Sequence, residues 1–396
     1  MKKLFILMLA LCLVNIVKAQ WLPINSGTSQ NLYDVFFTNL NTAYAVGGGG
    51  TILKTTDSGI SWTSQNSGVT AMLKSVYFKD NTGYVCGYSS PILKTSNGGA
   101  NWNSQIPGIN NYFSSIFLTD TSTVYTVGLD YIIKTNNGGI SWTNQSGSNT
   151  NSLNSIFFPD SIIGYTVGNE GTILKTINGG INWIAQNSGT NRLLTSVYFT
   201  DILNGYIVGF DLNYKGIILK TNNGGNTWLI VDSTNYNALL SVRFTTNNIG
   251  YIVGDSGTIL KTMNEGLSWI TQNSGTTNYL SSVFFINATT GYAVGENGVM
   301  LKTTNGGEAS ISENNTDNNL MLFPNPACQK LYIDLKQIKD FQNTTVSIYD
   351  IQGQLLLNQN IQQPQTELNI SSFANGIYIV KVKNNYKTLN SKFIKE

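Results

Sequence analysis

A single lysine recurs seven times along the chain, at Lys54, Lys94, Lys134, Lys175, Lys220, Lys261 and Lys302, with intervals of 40, 40, 41, 45, 41 and 41 residues. The same passage surrounds it each time: a segment ending in Phe, then Gly-Tyr-x-Val-Gly, Ile-Leu-Lys-Thr, Asn-Gly-Gly and Trp. In the first complete copy these are Val35-Phe36-Phe37, Tyr44-Ala45-Val46-Gly47, Ile52-Leu53-Lys54-Thr55, Asp57-Ser58-Gly59 and Trp62. A fixed period of this length marks a stacked-repeat architecture. Four short apolar runs per copy, parted by turn residues, make one four-stranded antiparallel sheet. Asn-Gly and Asp-Ser-Gly supply tight turns that tolerate positive φ. One such sheet cannot bury both faces alone, so seven must stack around an axis. The expected fold is all-β, a seven-bladed β-propeller. Helix has no place in the pattern, because Gly and Asn interrupt any 3.6-residue period.

The tryptophans locate the closure. Six of the seven follow a lysine copy, but after Lys302 the expected place is taken by Ser310. The seventh, Trp21, lies at the other end with no copy before it. We therefore expect residues 21–25 to form the outer strand of the last blade, within a propeller spanning 20–307. Such a closure covers edges that an open sheet would leave unpaired.

The repeat resembles two related patterns. Thr55-x-Asp57-x-Gly59-x-Ser61-Trp62 is similar to the Asp-box, or BNR, turn of bacterial sialidases and related propellers, with Asn replacing Asp in copies such as Thr95-x-Asn97-x-Gly99-x-Asn101-Trp102. The full period is closer to the photosystem II stability/assembly factor family, and the resemblance covers about residues 21–307. It implies a seven-bladed propeller. That family presents an arginine-rich face to its client, which a chain with only Arg192 and Arg243 cannot rebuild.

Both ends of the chain read as addresses. Lys2 and Lys3 precede an apolar run from Leu4 to Val17, and Val17-Lys18-Ala19 suits cleavage, so residues 1–19 are expected to be a signal peptide. No later stretch reaches the length of a membrane span, so an integral membrane protein is not expected. Residues 308–319 are polar and aperiodic, a linker. Beyond them the repeat is gone, and Leu331–Leu335, Thr345–Tyr349, Gln354–Leu357, Glu367–Ile370 and Gly376–Val382 read as strands of a small Ig-like sandwich. Residues 320–396 resemble the type IX secretion C-terminal sorting domain through Phe323-Pro324-Asn325-Pro326, Ile348-Tyr349-Asp350-Ile351-Gln352-Gly353, Gly376-Ile377-Tyr378-Ile379-Val380 and Lys392-Phe393-Ile394-Lys395. The resemblance implies the type IX machinery as partner. It also implies passage through the periplasm to the cell surface or beyond.

Composition narrows the chemistry. Net charge is +2 from 23 basic and 21 acidic residues, too balanced for a nucleic-acid partner. There is no histidine, which removes Ser-His-Asp and Cys-His nucleophiles and His metal sites. Gly47–Gly50 is followed by no helix and no Gly-Lys-Ser/Thr, so it is a hairpin loop and not a phosphate cradle. Cys86 replaces a core Val of other copies, and it and Cys328 show neither pairing nor metal spacing. The repeated lysines could suggest a ring for anions, but stem packing within strands explains them better. No cofactor, no metal and no catalytic residue is expected.

Two features point to a binding rim. The loops between the second and third strands carry Asp130, Glu170, Asp211, Asp255 and Glu296, and they share a face with the blade-to-blade loops. The fifth copy is four residues longer than its neighbours, in Gly209-Phe210-Asp211-Leu212-Asn213-Tyr214-Lys215-Gly216. An exposed aromatic pair beside both charges suits stacking on sugars or gripping a protein. Phe210, Asp211, Tyr214, Lys215, Arg192 and Tyr236 are therefore the expected ligand-binding residues, with Tyr112 and Tyr279 at nearby blade starts. The expected function is a secreted or cell-surface binding scaffold for glycan or protein. The alternative is a propeller-type glycoside hydrolase using two rim carboxylates. An assembly role at a membrane complex, suggested by the family alone, conflicts with a surface address.

Overall fold

The computed structural model describes residues 21–109, 112–146, 151–232, 236–308, 320–335, 344–350, 353–384 and 388–396. The expected signal peptide and nearly all of the expected linker lie outside the described residues. The chain divides into two compact units, on either side of residue 310.

The larger unit holds seven four-stranded antiparallel sheets. Blade 1 comprises Leu32–Phe37, Ala43–Gly47, Ile52–Thr55 and Thr63–Gln65, from the axis outward, and each later copy repeats this order up to Leu239–Phe244, Gly250–Gly254, Ile259–Thr262 and Ile270–Gln272 in blade 6. Blade 7 takes Leu280–Phe285, Gly291–Gly295 and Met300–Thr303 from the end of the unit and Leu22–Pro23 from its start, with Leu22 opposite Lys302. Innermost strand Leu32–Phe37 packs against both Met72–Lys79 of blade 2 and Leu280–Phe285 of blade 7, so the ring is continuous. Among the described residues no α-helix occurs.

The repeat explains itself at the blade junctions. Tyr44 of blade 1 stacks on Phe78 of blade 2 with ring centroids 4.0 Å apart, and Trp102 meets both edge-on. The same stacking joins Tyr125 to Phe158, Tyr165 to Phe199, Tyr206 to Phe244 and Tyr251 to Phe285, and Tyr292 meets Phe37 in a tilted pair at 4.5 Å. Between blades 2 and 3 the Phe is replaced by Leu118, which packs against Tyr84 in an otherwise similar core. Stacked and edge-on pairs add to the area that these large rings bury.

The repeated lysine does more than pack its stem. Lys54 Nζ and Tyr44 OH both donate to the carbonyl of Gly98 in the next blade's turn, each at 2.6 Å. Lys134 with Tyr125, Lys175 with Tyr165, Lys220 with Tyr206 and Lys302 with Tyr292 reach the equivalent carbonyls of Gly179, Gly224, Glu265 and Ser58. The last of these runs from blade 7 to blade 1. Lys261 departs from the pattern and pairs with Glu308 at 3.0 Å. Every blade is thus tied to the following one by a charge-assisted bond that only a long cationic side chain can make.

Trp21 is buried completely, edge-on to Tyr251 and Phe285, and its Nε1 donates to Gln272 Oε1 at 2.9 Å. The other six indole N–H groups have no partner. The glycine at or next to the end of each second strand has a steric reason. At Gly47 a Cβ would collide with the carbonyl of Asn31, where the first strand bulges between Leu32 and Asp34.

The smaller unit contains a three-stranded sheet, Met321–Phe323, Lys330–Asp334 and Gln365–Asn369, and a four-stranded sheet ordered Leu355–Ile361, Thr344–Tyr349, Gly376–Lys383 and Thr388–Lys395. Leu331, Ile333, Val346, Ile348, Leu368, Val380 and Phe393 meet in one core. The first and last strands are additions to the sequence reading. Thr388–Lys395 interleaves buried Leu389, Phe393 and Lys395 with polar residues, so its hydrophobic signal is diluted.

Candidate functional site

The innermost strands line a central channel, and their alternation sorts its wall into layers. One layer holds Asp34 in blade 1 and a serine in every other blade: Ser75, Ser115, Ser155, Ser196, Ser241 and Ser282. Most of these side chains accept the N–H of the next blade's strand, as Ser115 Oγ does from Ile156 and Asp34 Oδ2 from Val76. Asp34 also receives Val35 N at 2.9 Å, Ser282 Oγ at 2.8 Å and Ser75 Oγ at 3.2 Å. Burial raises its pKa against the lowering effect of those four hydrogen bonds.

The next layer is an aromatic ring. Phe36, Tyr77, Phe117, Phe157 and Tyr198 succeed one another with centroids 4.6–5.4 Å apart, and Phe284 returns to Phe36 at 5.2 Å. Arg243 fills the seventh place, its guanidinium 5.3 Å from the Tyr198 centroid and 4.4 Å from that of Phe284. A planar cation between two ring faces continues the stack. Together the two layers enclose a polar cavity of 120 Å³.

On the opposite side of the serine layer the channel widens into a mouth of 570 Å³. Antiparallel pairing brings the loops between second and third strands and the blade-to-blade loops to this end, and the Asp-box-like turns to the other. Tyr33, Lys74, Tyr88, Tyr279, Phe210, Tyr214 and Asp255 line it. Lys74 Nζ lies 4.0 Å from the Tyr33 ring centroid and 5.5 Å from that of Tyr88. Burial lowers the Lys74 pKa, while Cys86 and Asp34 act in the raising direction. Tyr112 extends the aromatic wall beside Tyr88, with centroids 5.9 Å apart.

The long fifth-blade loop stands on this rim. Phe210 and Tyr214 stack at 5.7 Å with planes 8° apart. Asp211 accepts the N–H groups of Asn213 and Lys215 at 2.8 and 3.0 Å, and Arg192 Nη2 pairs with its Oδ2 at 3.3 Å. Arg192 Nη1 also holds the carbonyl of Gly216 at 3.1 Å. The Lys215 hydrogen bond comes first among the causes that keep the Asp211 carboxyl below its ordinary range, and Arg192 adds to it. Tyr214 sits in the left-handed region at φ 58° and is 63% exposed. Phe210, Asp211, Tyr214 and Arg192 border a side cavity of 600 Å³ that also meets Glu170.

Two expected residues stand apart from that group. Tyr236 packs against the core between blades 5 and 6, and its hydroxyl donates to the carbonyl of Trp269 at 3.3 Å. Lys215 contributes backbone to the loop, pairs there with Asn237, and borders neither cavity. The rim carboxylates are likewise divided: Asp255 on the mouth, Glu170 and Asp211 on the side cavity, Asp130 and Glu296 on neither. Lys74, Asp34, Tyr33 and Arg243 were not singled out in the sequence. Their signal is an exception at an aligned position: Lys74 stands where other copies have Tyr33, Ser114, Asn154, Thr195, Leu240 and Ser281.

Comparison with known proteins agrees with both units. The family model for the secretion system C-terminal sorting domain matches residues 321–396, which marks the chain for type IX export to the cell surface or outside. The model for photosynthesis system II assembly factor YCF48 matches residues 13–155 and 229–320, more than half of the chain. No curated protein matches significantly. Among solved structures, YCF48 bound to D1 peptide superposes with a TM-score of 0.62 at 19% identity, covering 72% of this chain and 96% of its own. YCF48 from Cyanidioschyzon merolae gives 0.60 at 19% identity, covering 72% and 98%. The WD40 β-propeller domain of Doa1 gives 0.57 at 14% identity, covering 72% and 97%. With its sevenfold repeat, its four-stranded blades and this match, the chain belongs to the photosynthesis system II assembly factor YCF48 family, and it carries a secretion sorting domain behind the propeller.

Proposed function

We propose that the propeller is an exported binding module that grips a polypeptide segment at the channel mouth. The observation that carries this is the mouth itself: a 570 Å³ recess walled by aromatic rings and hydroxyls, with one ammonium group among them. Large rigid rings with polar tips supply contact area at small entropic cost, as binding anchors do. A related propeller has been seen bound to a peptide, which supports a polypeptide as the occupant. The stacked Phe210–Tyr214 pair, braced by Arg192–Asp211, extends the same contact surface over the rim.

The hydrolase alternative asks for an acid with a raised pKa beside an ionised partner. Here the carboxyl that burial pushes up, Asp34, lies in the channel, and the one held down, Asp211, borders the side cavity. That separation favours binding.

The mature chain can be tested against peptide and glycan arrays side by side. Saturable peptide binding that weakens at least tenfold in a Tyr33→Ala, Phe210→Ala double variant is the expected result. Binding confined to glycans, or peptide binding indifferent to both residues, would overturn the reading.

A further inference from the structure

Seven equivalent side chains ring the mouth just above the serine layer, and most of them are spoken for. Asn154 Nδ2 donates to the carbonyl of Leu194 at 2.9 Å, Thr195 Oγ1 to that of Leu239 at 2.8 Å, and Ser281 Oγ to that of Leu32 at 2.9 Å. Each of these bonds reaches the following blade. Lys74 occupies the same position in blade 2 and makes neither hydrogen bond nor ion pair among the described residues. It differs in this from the seven repeated lysines, whose ammonium groups end on a carbonyl or a carboxylate of the next blade. Two tyrosine faces hold its charge over the recess, and its three donors remain unspent.

We propose that Lys74, framed by Tyr33 and Tyr88, is a carboxylate subsite that receives an acidic side chain of the bound polypeptide. This subsite rests on the polypeptide reading above and adds to it what the segment must carry. Burial disfavours the charged form of Lys74, and an anion placed on the ammonium offsets that desolvation. Aromatic faces stabilise the cation without competing for its N–H groups, so those groups stay available to a ligand. The anion is best singly charged, because among the described residues Lys74 is the only cation lining the mouth and Asp34 and Asp255 line the same recess. A carboxylate meets that condition; a phosphate dianion would face two carboxylates with one ammonium.

The test separates the subsite from the polypeptide reading. In the first arm, the mature chain with isotope-labelled lysines is titrated with N-acetylglutamate methylamide and, separately, with the glutamine analogue. The Lys74 side-chain resonances, assigned by their loss in Lys74→Gln, should shift saturably with the glutamate compound alone. No shift, or equal shifts with both compounds, overturns the subsite whether or not peptides bind. In the second arm, array peptides that bind are remade with Glu replaced by Gln. The change should weaken binding roughly tenfold to wild type and leave Lys74→Gln indifferent. If no peptide binds at all, the polypeptide reading fails, while the first arm still decides the fate of the subsite.

Discussion

The two ends of the propeller use the same repeat in opposite ways. At the turn end, the junctions agree almost residue for residue: a Tyr stacked on a Phe, a Trp across them, a Lys on the next blade's carbonyl. At the mouth, equivalent positions disagree: Tyr33, Lys74 and Leu240 share one level, Asp34 and six serines another. Agreement is what identical sheets need in order to stack, since each junction solves the same packing problem. Disagreement has a cost, since burial disfavours the charged forms of Asp34 and Lys74, and it gives a symmetric ring an asymmetric face. The comparison therefore assigns stability to the junctions and recognition to the mouth, and variants at each end should break one property and spare the other.

The largest effect belongs to the closing blade. Trp21 is fully buried and its indole N–H is bonded to Gln272, whereas Trp142 in blade 3 is half-buried with no partner for its N–H. Trp21→Ala should cost about 3–5 kcal/mol, the usual range for emptying a buried aromatic site. Trp142→Ala should cost about 1–2 kcal/mol, in proportion to its smaller burial. Urea unfolding of the two variants measures the difference. Equal losses would mean that closure through Trp21 has no special weight.

A smaller and sharper contrast uses two lysines. Lys134→Met removes the bond to Gly179 and should lower stability by about 1–2 kcal/mol without weakening peptide binding. Lys74→Gln removes no hydrogen bond or ion pair among the described residues, only the contacts with the Tyr33 and Tyr88 rings, and should change the unfolding midpoint less than Lys134→Met while abolishing the preference for acidic peptides. If the two variants behave alike in both assays, the division between junction and mouth is wrong.

How much of this was legible follows from the same division. The blades, their number and the sorting unit could be read because seven copies repeat one packing solution and Val, Tyr and Gly recur at fixed places. The loop with Phe210, Asp211 and Tyr214 could be read because its extra length breaks the period. Lys74, Asp34 and Arg243 escaped because each changes one residue without changing any spacing, and only the ring brings the seven aligned positions to one level. Tyr236 lies near the rim in sequence, and its ring packs on a junction core, a contact that only the three-dimensional ring of blades displays. The role of the repeated lysines was half visible. Their strand position predicted stem packing, but the carbonyl they reach belongs to the next copy, some 44 residues on in the case of Lys54.

The smallest effect is a pH dependence carried by two carboxylates of blade 1. Its turn uses Asp57 where the other six use Asn97, Asn137, Asn178, Asn223, Asn264 and Asn305. Asp57 accepts Ser61 Oγ at 2.6 Å, Ser61 N at 3.0 Å and Thr55 Oγ1 at 2.7 Å. These bonds, with Ser61 first, pull its pKa from 3.8 to about 2. A depressed carboxylate stabilises the fold above its unfolded pKa, and the contribution disappears as pH falls through the folded value. Asp34 has the opposite sign, because burial raises its pKa and its favourable contribution is lost as pH rises through the folded value. Asp57→Asn should therefore flatten the fall in melting temperature between about pH 4 and pH 2, and neutral pH should change little because Asn accepts the equivalent threonine O–H and backbone N–H bonds, as Asn97 does. Asp34→Ser, which restores the residue of the other blades, should instead improve stability at neutral pH relative to pH 4. A melting series from pH 2 to pH 7 reads both slopes, and slopes of the same sign in the two variants would show that the mouth and the turn do not differ in the way their carboxylates are held.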